Sequence, residues 1–245
     1  MPQDSEKPEK TCNNFEPVWD AGFYSFISGI PFVREQIELY AGSVKGYAAR
    51  MGSDARLNTR LLCGGCGIGA SLKELASISP LKLVGLDHDS NILEAAKNNL
   101  KNVSNVYLCR GDVLDLPFMS NSFDVYGLIN VVHFIQETDK LFSEMIRVLK
   151  PGGLFVITGA VPEYKSEPFI QAGMDYLEEI GADERLRQQV SEYVKQQKQR
   201  ESMIKREGLF SLESICALLE AAYGCTIKDS KPSYLKQGYF VVASR

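Results

Sequence analysis

The sequence predicts an α/β protein: a mainly parallel sheet of seven strands, the last antiparallel, with a helical cap. Three observations predict it. From residue 60 onward, short apolar runs alternate with amphipathic helical segments, the pattern of parallel strands joined by crossover helices. A glycine-rich turn separates the first of these runs from the first helix. Near the other end, too few residues join the last two apolar runs for a crossover, so those strands pair antiparallel.

Each element has a local cause. Arg60 to Gly64 is the first strand, and Ser71 to Ile78 the amphipathic stretch after the turn. Leu81 to Leu86 is the second strand, closing on Asp87; Asp89 or Ser90 caps a helix through Leu100. Val106 to Cys109 is the third strand. Phe123 to Asn130 is the fourth, and its near-continuous apolar run predicts burial on both faces. A helix from about Asp139 to Leu149 stops at Lys150-Pro151-Gly152-Gly153, and Leu154 to Thr158 is the fifth strand. Ser211 to Ala222 is a helix with Leu212, Ile215, Leu218 and Leu219 inward, followed by strands at Cys225 to Lys228 and Tyr239 to Ala243.

Two regions fall outside the alternation. Phe15 to Arg50 is aromatic-rich and largely helical in pattern, and a long polar helix at about Asp183 to Arg206 carries a thin stripe of Leu186, Val190 and Val194. The expected organisation is a disordered tail at 1–14, a helical cap at 15–55, a core at 56–161, a cap insertion at 162–207 and a return to the core sheet at 208–245. The polar residues 1–14 have no apolar segment of the kind a signal peptide needs.

Composition narrows the function. In 245 residues, 44% hydrophobic and 24% charged content suits a globular chain with a sizeable core. A net charge of −4 supplies no basic field for nucleic acid or anionic lipid. No apolar stretch approaches the roughly 20 residues of a membrane span. Six cysteines are too few for a disulfide scaffold in a chain of this length, which points to a reducing, cytoplasmic setting. A small-molecule partner is expected, with the chain a monomer or homodimer.

The chemistry-bearing positions lie after the strands. Cys63-Gly64-Gly65-Cys66-Gly67-Ile68-Gly69 is a glycine-rich turn of the type that brings backbone close to a ligand at the carboxyl ends of parallel strands. Gly65, Gly67 and Ala70 also satisfy the dinucleotide spacing G-x-G-x-x-A. Asp87 closes the second strand 20 residues after Gly67, where a carboxylate accepts both ribose hydroxyls of a methyl-donor nucleoside or of NAD. Further on stand Arg110-Gly111-Asp112-Val113-Leu114-Asp115-Leu116-Pro117-Phe118, then Ser122-Phe123-Asp124-Val125, His133, and Arg147-Val148-Leu149-Lys150-Pro151-Gly152-Gly153.

This ordered series resembles the class I S-adenosylmethionine (SAM)-dependent methyltransferases, within them the small-molecule branch that includes the ubiquinone and menaquinone methyltransferases. The resemblance covers roughly residues 58 to 160 and implies a Rossmann-like core with SAM as cofactor. It implies that Gly65, Cys66, Gly67 and Gly69 lie under the methionine part of SAM, that Asp87 binds the ribose, and that His88 flanks the adenine. Asp112 would accept from the adenine amino group, Val113 would donate its backbone N–H to the ring, and Asn130 would contact the amino acid portion near the sulfonium. One departure stands out: the family usually has Asp or Glu where this chain has Cys63, and a neutral thiol does not replace that charge.

Other readings of these residues are weaker. Cys63 and Cys66 spell C-x-x-C, but no second pair exists to complete a zinc site, so no metal is expected. His133, just past the fourth strand, is the candidate general base and a candidate pocket residue. Trp19, Phe23 and Tyr24 either form cap core or wall the substrate pocket, where π-density faces a cationic sulfonium. The expected reaction is methyl transfer to an O, N, S or C nucleophile of a small molecule. The alternatives are an NAD-dependent oxidoreductase, whose hydride-transfer set near the fifth strand is missing, and a non-catalytic SAM-binding protein.

Overall fold

The computed structural model describes residues 26–27, 29–51, 58–77, 81–203 and 209–245. Helix α1 (Pro31–Ala49) precedes β1 (Arg60–Gly64), α2 (Ala70–Leu75), β2 (Lys82–Asp87), α3 (Ser90–Asn99), β3 (Val106–Arg110) and β4 (Phe123–Ile129). A 3-10 turn (Val132–Phe134) leads to α4 (Thr138–Val148) and β5 (Leu149–Ala160), followed by α5 (Glu167–Glu179), α6 (Glu184–Met203) and α7 (Leu212–Tyr223), and then β6 (Thr226–Ser233) and β7 (Gly238–Ser244).

The seven strands form one sheet in the order β3-β2-β1-β4-β5-β7-β6. Strands β1 to β5 pair in parallel, and β7 runs antiparallel to both β5 and β6. The α/β class, the strand count and the antiparallel last strand therefore stand as the sequence predicts. Asp89 caps α3 by accepting from the Asn91 and Ile92 amides at 2.7 and 3.2 Å, an arrangement worth about 1 kcal/mol.

Strand lengths differ from expectation for tertiary reasons. Strand β5 begins at Leu149 and runs through Lys150-Pro151-Gly152-Gly153, read from sequence as a stop. Leu149 pairs with Phe123, and the Gly153 carbonyl accepts from the Arg245 amide at 3.0 Å, so a distant partner continues the strand. Strand β6 extends past Lys228 to Ser233 because β7 pairs with it across a bulge after Ile227; Pro232 is tolerated on this edge strand. Helix α2 ends at Leu75, and Ile78 lies outside the described residues.

Helices cover both faces. On one, α4 and α7 bury Leu141, Phe142, Met145, Ile215 and Leu219 against Leu62, Tyr126 and Phe155. On the other, α1 and α2 bury Tyr40, Val44, Leu72 and Leu75 against Leu61, Val125 and Val156. A third cluster joins Phe26, Ile30 and Phe32 to Phe169 and Leu177 of α5, Val190 of α6 and Tyr234 of the β6–β7 turn. The thin stripe of α6 thus docks on aromatic residues contributed by both regions outside the core alternation.

Glycines in three strands make room for tyrosines. The Tyr126 hydroxyl lies over Gly64, the Tyr40 hydroxyl over Gly127, and the Tyr239 hydroxyl over Gly159; at each position a Cβ would collide with the phenol. The Tyr40 and Tyr126 hydroxyls are buried without a hydrogen-bond partner among the described residues. Gly127→Ala should therefore lower the unfolding free energy by about 1–3 kcal/mol through overpacking. Tyr40→Phe alone should be neutral or stabilising, since a buried unpaired hydroxyl costs about 1–3 kcal/mol, and should rescue only part of the Gly127→Ala loss, because the ring carbon that bore the hydroxyl still lies 2.5 Å from the added Cβ. Urea denaturation of both single variants and the double checks this; strictly additive losses would show that the hydroxyl is not the obstacle.

Candidate active site

The site is built where the strand order reverses. From β1 the chain steps to β2 and β3 on one side and later to β4 and β5 on the other, which leaves a crevice beyond the carboxyl ends of β1 and β4. The segments after β1, β2, β3 and β4 all end at this edge, bringing the loop at 65–69, Asp87 and His88, Asp112 and Val113, and Asn130 to His133 to one side of the sheet.

The loop after β1 needs its glycines. Gly65, Gly67 and Gly69 have φ of 61°, 54° and 77°, in the left-handed region that residues with a Cβ avoid. Gly65 lies under Val131 and Gly69 against Leu100, whereas a Cβ at Gly67 would meet open space among the described residues. The Cys66 amide donates to the Leu86 carbonyl at 2.9 Å, tying the loop to β2.

Asp87 is the hub. Its side chain is buried, yet Oδ2 accepts the Gly67 N–H at 2.9 Å and Oδ1 the Asp89 N–H at 3.2 Å. A carboxylate offers about four lone-pair sites, so these two bonds leave acceptor capacity on both oxygens. His88 is mostly exposed, with Nδ1 3.5 Å from Asp87 Oδ1, and its carbonyl accepts from Arg110 Nε at 3.1 Å. Asp112 is exposed and accepts the Leu114 N–H at 2.9 Å through one carboxylate oxygen; Val113 beside it is buried.

On the β4 side, Asn130 holds a left-handed φ of 62°. Its amide donates to Thr158 Oγ1 at 2.9 Å, and the Thr158 hydroxyl donates to Asn130 Oδ1 at 3.0 Å. Thr158, fully buried on β5, is a supporting residue that sequence reasoning missed. Only the β4–β5 register, which pairs Ile129 with Thr158, reveals it. His133 lies half-buried on the 3-10 turn, 4.1 Å from the Phe134 ring, and its Nδ1 accepts the Ala160 N–H at 3.4 Å. Trp19, Phe23 and Tyr24 lie outside the described residues.

Cys63 points into the core rather than into water. It is 1% exposed, with Ser71 Oγ 3.9 Å from its sulfur. Burial is the main cause that pushes its thiol up to about 12, and burial likewise raises Cys66, whose Sγ–H donates to the Gly67 carbonyl at 3.5 Å. Both sulfurs are therefore neutral near pH 7, and neither carries the negative charge an ammonium group would seek. Among the described residues, no group of three His, Cys, Asp or Glu side chains is placed to hold a metal ion.

The comparisons with known proteins converge on one family. Residues 62–157 match the family described as Methyltransferase domain. The chain is 42% identical over 79 residues to a demethylmenaquinone methyltransferase of Staphylococcus haemolyticus, covering 31% of each. It is 32% identical over 137 residues to a fatty-acid O-methyltransferase of Mycolicibacterium smegmatis, which covers 56% of this chain and 49% of that one. The chain thus matches 31% and 49% of the length of these curated relatives. A SAM-dependent methyltransferase structure from Aquifex aeolicus superposes with a TM-score of 0.54 at 16% identity, covering 77% of this chain and 84% of that one, which shows a shared fold. No helix among the described residues is long and apolar enough to cross a membrane.

The buried thiol gives a pH dependence with a definite sign. Below about pH 9 the Cys63 thiol is protonated in both folded and unfolded chains, and its contribution is constant. Between its ordinary value of 9.0 and its folded value of about 12, the unfolded thiol ionises while the folded one does not, so stability falls as pH rises. Cys63→Ala should flatten that part of the profile in urea unfolding measured from pH 8 to 12; an unchanged slope would refute the assignment.

Proposed function

We propose that the whole chain is a SAM-dependent small-molecule methyltransferase, a reading that starts from the match of residues 62–157 to the Methyltransferase domain family. It moves the methyl group of SAM onto an O, N, S or C nucleophile and releases S-adenosylhomocysteine. The carrying observation is the Asp87–Gly67 hydrogen bond, which joins the glycine loop and the candidate ribose carboxylate into one cradle at the crevice.

The residues fit the cofactor at all but one position. The loop at 65–69 approaches the methionine part through backbone alone, with the open space over Gly67 as the point of closest approach. Asp87 has acceptor capacity for ribose hydroxyls, His88 flanks the adenine, and Asp112 and Val113 bond to its edge. The misfit is Cys63, so backbone carbonyls and Asn130 take up the amino group instead. When bound, SAM supplies an electrophilic methyl on a sulfonium, and the protein's contribution is in-line alignment and exclusion of water.

His133 acts on the acceptor side. It is the candidate general base, held on the 3-10 turn with Nδ1 accepting the Ala160 N–H. The division into a tail at 1–14, caps at 15–55 and 162–207, and core at 56–161 and 208–245 belongs to this reading. The third aromatic cluster, which draws on both cap regions, supports it. A cytoplasmic enzyme, monomeric or homodimeric and without a nucleic acid partner, completes the proposal.

Isothermal calorimetry with SAM, S-adenosylhomocysteine and NAD tests the reading. SAM and S-adenosylhomocysteine should bind and NAD should not; binding of NAD alone would overturn it. Asp87→Ala should weaken S-adenosylhomocysteine by about 10- to 100-fold, the loss expected for hydrogen bonds to a charged group. Affinity unchanged in this variant would remove Asp87 from the ribose site.

A further inference from the structure

The loop between β3 and β4 is held from outside the crevice by a pair of charged residues one turn apart on α4. Arg147 Nη2 donates to the Leu116 carbonyl at 3.0 Å and Nη1 to the Phe118 carbonyl at 2.6 Å. Its Nε donates to Glu144 Oε1 at 2.6 Å, and Nη2 also reaches Glu144 Oε2 at 2.8 Å. Glu144 Oε2 in turn accepts the Leu116 N–H at 2.7 Å. The pair therefore bonds both the N–H and the C=O of Leu116, and it reaches Phe118 two residues on. This guanidinium is the largest single cause holding the Glu144 carboxyl below the usual carboxylate range.

The rest of the loop is anchored in series with that clamp. The Gly111 N–H donates to the Asp87 carbonyl at 3.0 Å, which fixes the near end to β2. Asp112 turns the chain by accepting from Leu114 on its side chain and from Asp115 at 3.1 Å on its carbonyl. Leu116 is buried, and Phe118 packs edge-on against Phe123 at 4.9 Å. Asp112 and Val113 thus lie on a short arch with one foot on β2 and the other on the Glu144–Arg147 pair. A planar fork with several fixed donors suits two backbone carbonyls at once, which a lysine ammonium does not.

We propose that Arg147, with Glu144, is a positioning residue for cofactor recognition: by fixing the carbonyls of Leu116 and Phe118, it holds Asp112 and Val113 where they read the adenine edge. The inference rests on the methyltransferase reading of the crevice. It makes the Glu144–Arg147 pair on α4 responsible for base selectivity. A role confined to stability would lower the affinity of every nucleoside ligand in proportion. A positioning role acts on the contact that distinguishes the adenine amino group from another substituent.

The test uses the full chain and two ligands, S-adenosylhomocysteine and S-inosylhomocysteine, in which an oxo group replaces the 6-amino group. By calorimetry the unaltered chain should prefer the adenine ligand by about tenfold or more, the worth of one hydrogen bond to a carboxylate. In Arg147→Met that preference should shrink to about threefold or less, mostly through loss of the adenine ligand, and Arg147→Lys should fall between. Thermal unfolding identifies any variant that does not fold; Arg147→Lys, which keeps the charge, then decides alone. A folded variant that keeps the full preference, with both ligands weakened equally or not at all, overturns the positioning role. An unaltered chain that binds neither ligand overturns the cofactor reading, and the clamp's role with it.

Discussion

The hydrogen bond from the Gly67 amide to Asp87 is the constraint on which the crevice depends. It spans two strand ends that adjoin in the sheet, so it forms only when β1 and β2 are paired in register. Asp87 is 5% exposed, and a buried polar group is costly unless donors replace its lost hydration. The Gly67 and Asp89 amides supply that compensation. The Cys66–Leu86 backbone bond completes the link between loop and strand. The left-handed glycines of the loop follow from the same geometry, since the chain must double back beside β2 before entering α2.

Beneath this edge, the sheet is packed from both sides by phenols seated over glycines. Tyr126 covers Gly64 on one face and Tyr40 covers Gly127 on the other, one residue apart along paired β1 and β4. The arrangement fills the floor of the crevice with large rigid side chains. It also leaves two buried hydroxyls without partners among the described residues, a cost that the surrounding apolar contacts offset. Cys63 belongs to this floor. Its sulfur faces Ser71 and the apolar layer beneath α1, and burial keeps it a neutral thiol. The position where the resemblance implies an acid is part of the packing here.

The cap is tied to the core through aromatic contact. Phe32 of α1 meets Phe169 of α5 at 4.9 Å and Tyr234 of the β6–β7 turn at 6.1 Å, both edge-on. Tyr234, Leu235 and Lys236 all take left-handed φ, of 49°, 54° and 65°, so this turn spends backbone strain to seat Tyr234 in the cluster. Because β6 runs parallel to β5, the turn lies at the same edge of the sheet as the crevice. Sequence periodicity showed the thin stripe on α6 but not its partners, since the cluster it joins gathers Phe26, Phe169 and Tyr234 from three separate parts of the chain.

Local patterns determined much by themselves. The alternation of apolar runs with helical stretches settled the fold class. The glycines at 65, 67 and 69 and the acids at 87 and 112 were legible as candidates because each follows a strand whose carboxyl end lies at one edge of the sheet. The limits of β5 and β6 and the support of Asn130 by Thr158 were decided only by the tertiary structure. So were the burial of Cys63 in the core and the bonding of Leu116 and Phe118 to α4. Each of these depends on strand register or burial, and both arise from segments far apart in the chain. A strand continues where a partner accepts its hydrogen bonds, and a thiol stays neutral where other segments exclude water. Neither condition is written in the residues that obey it.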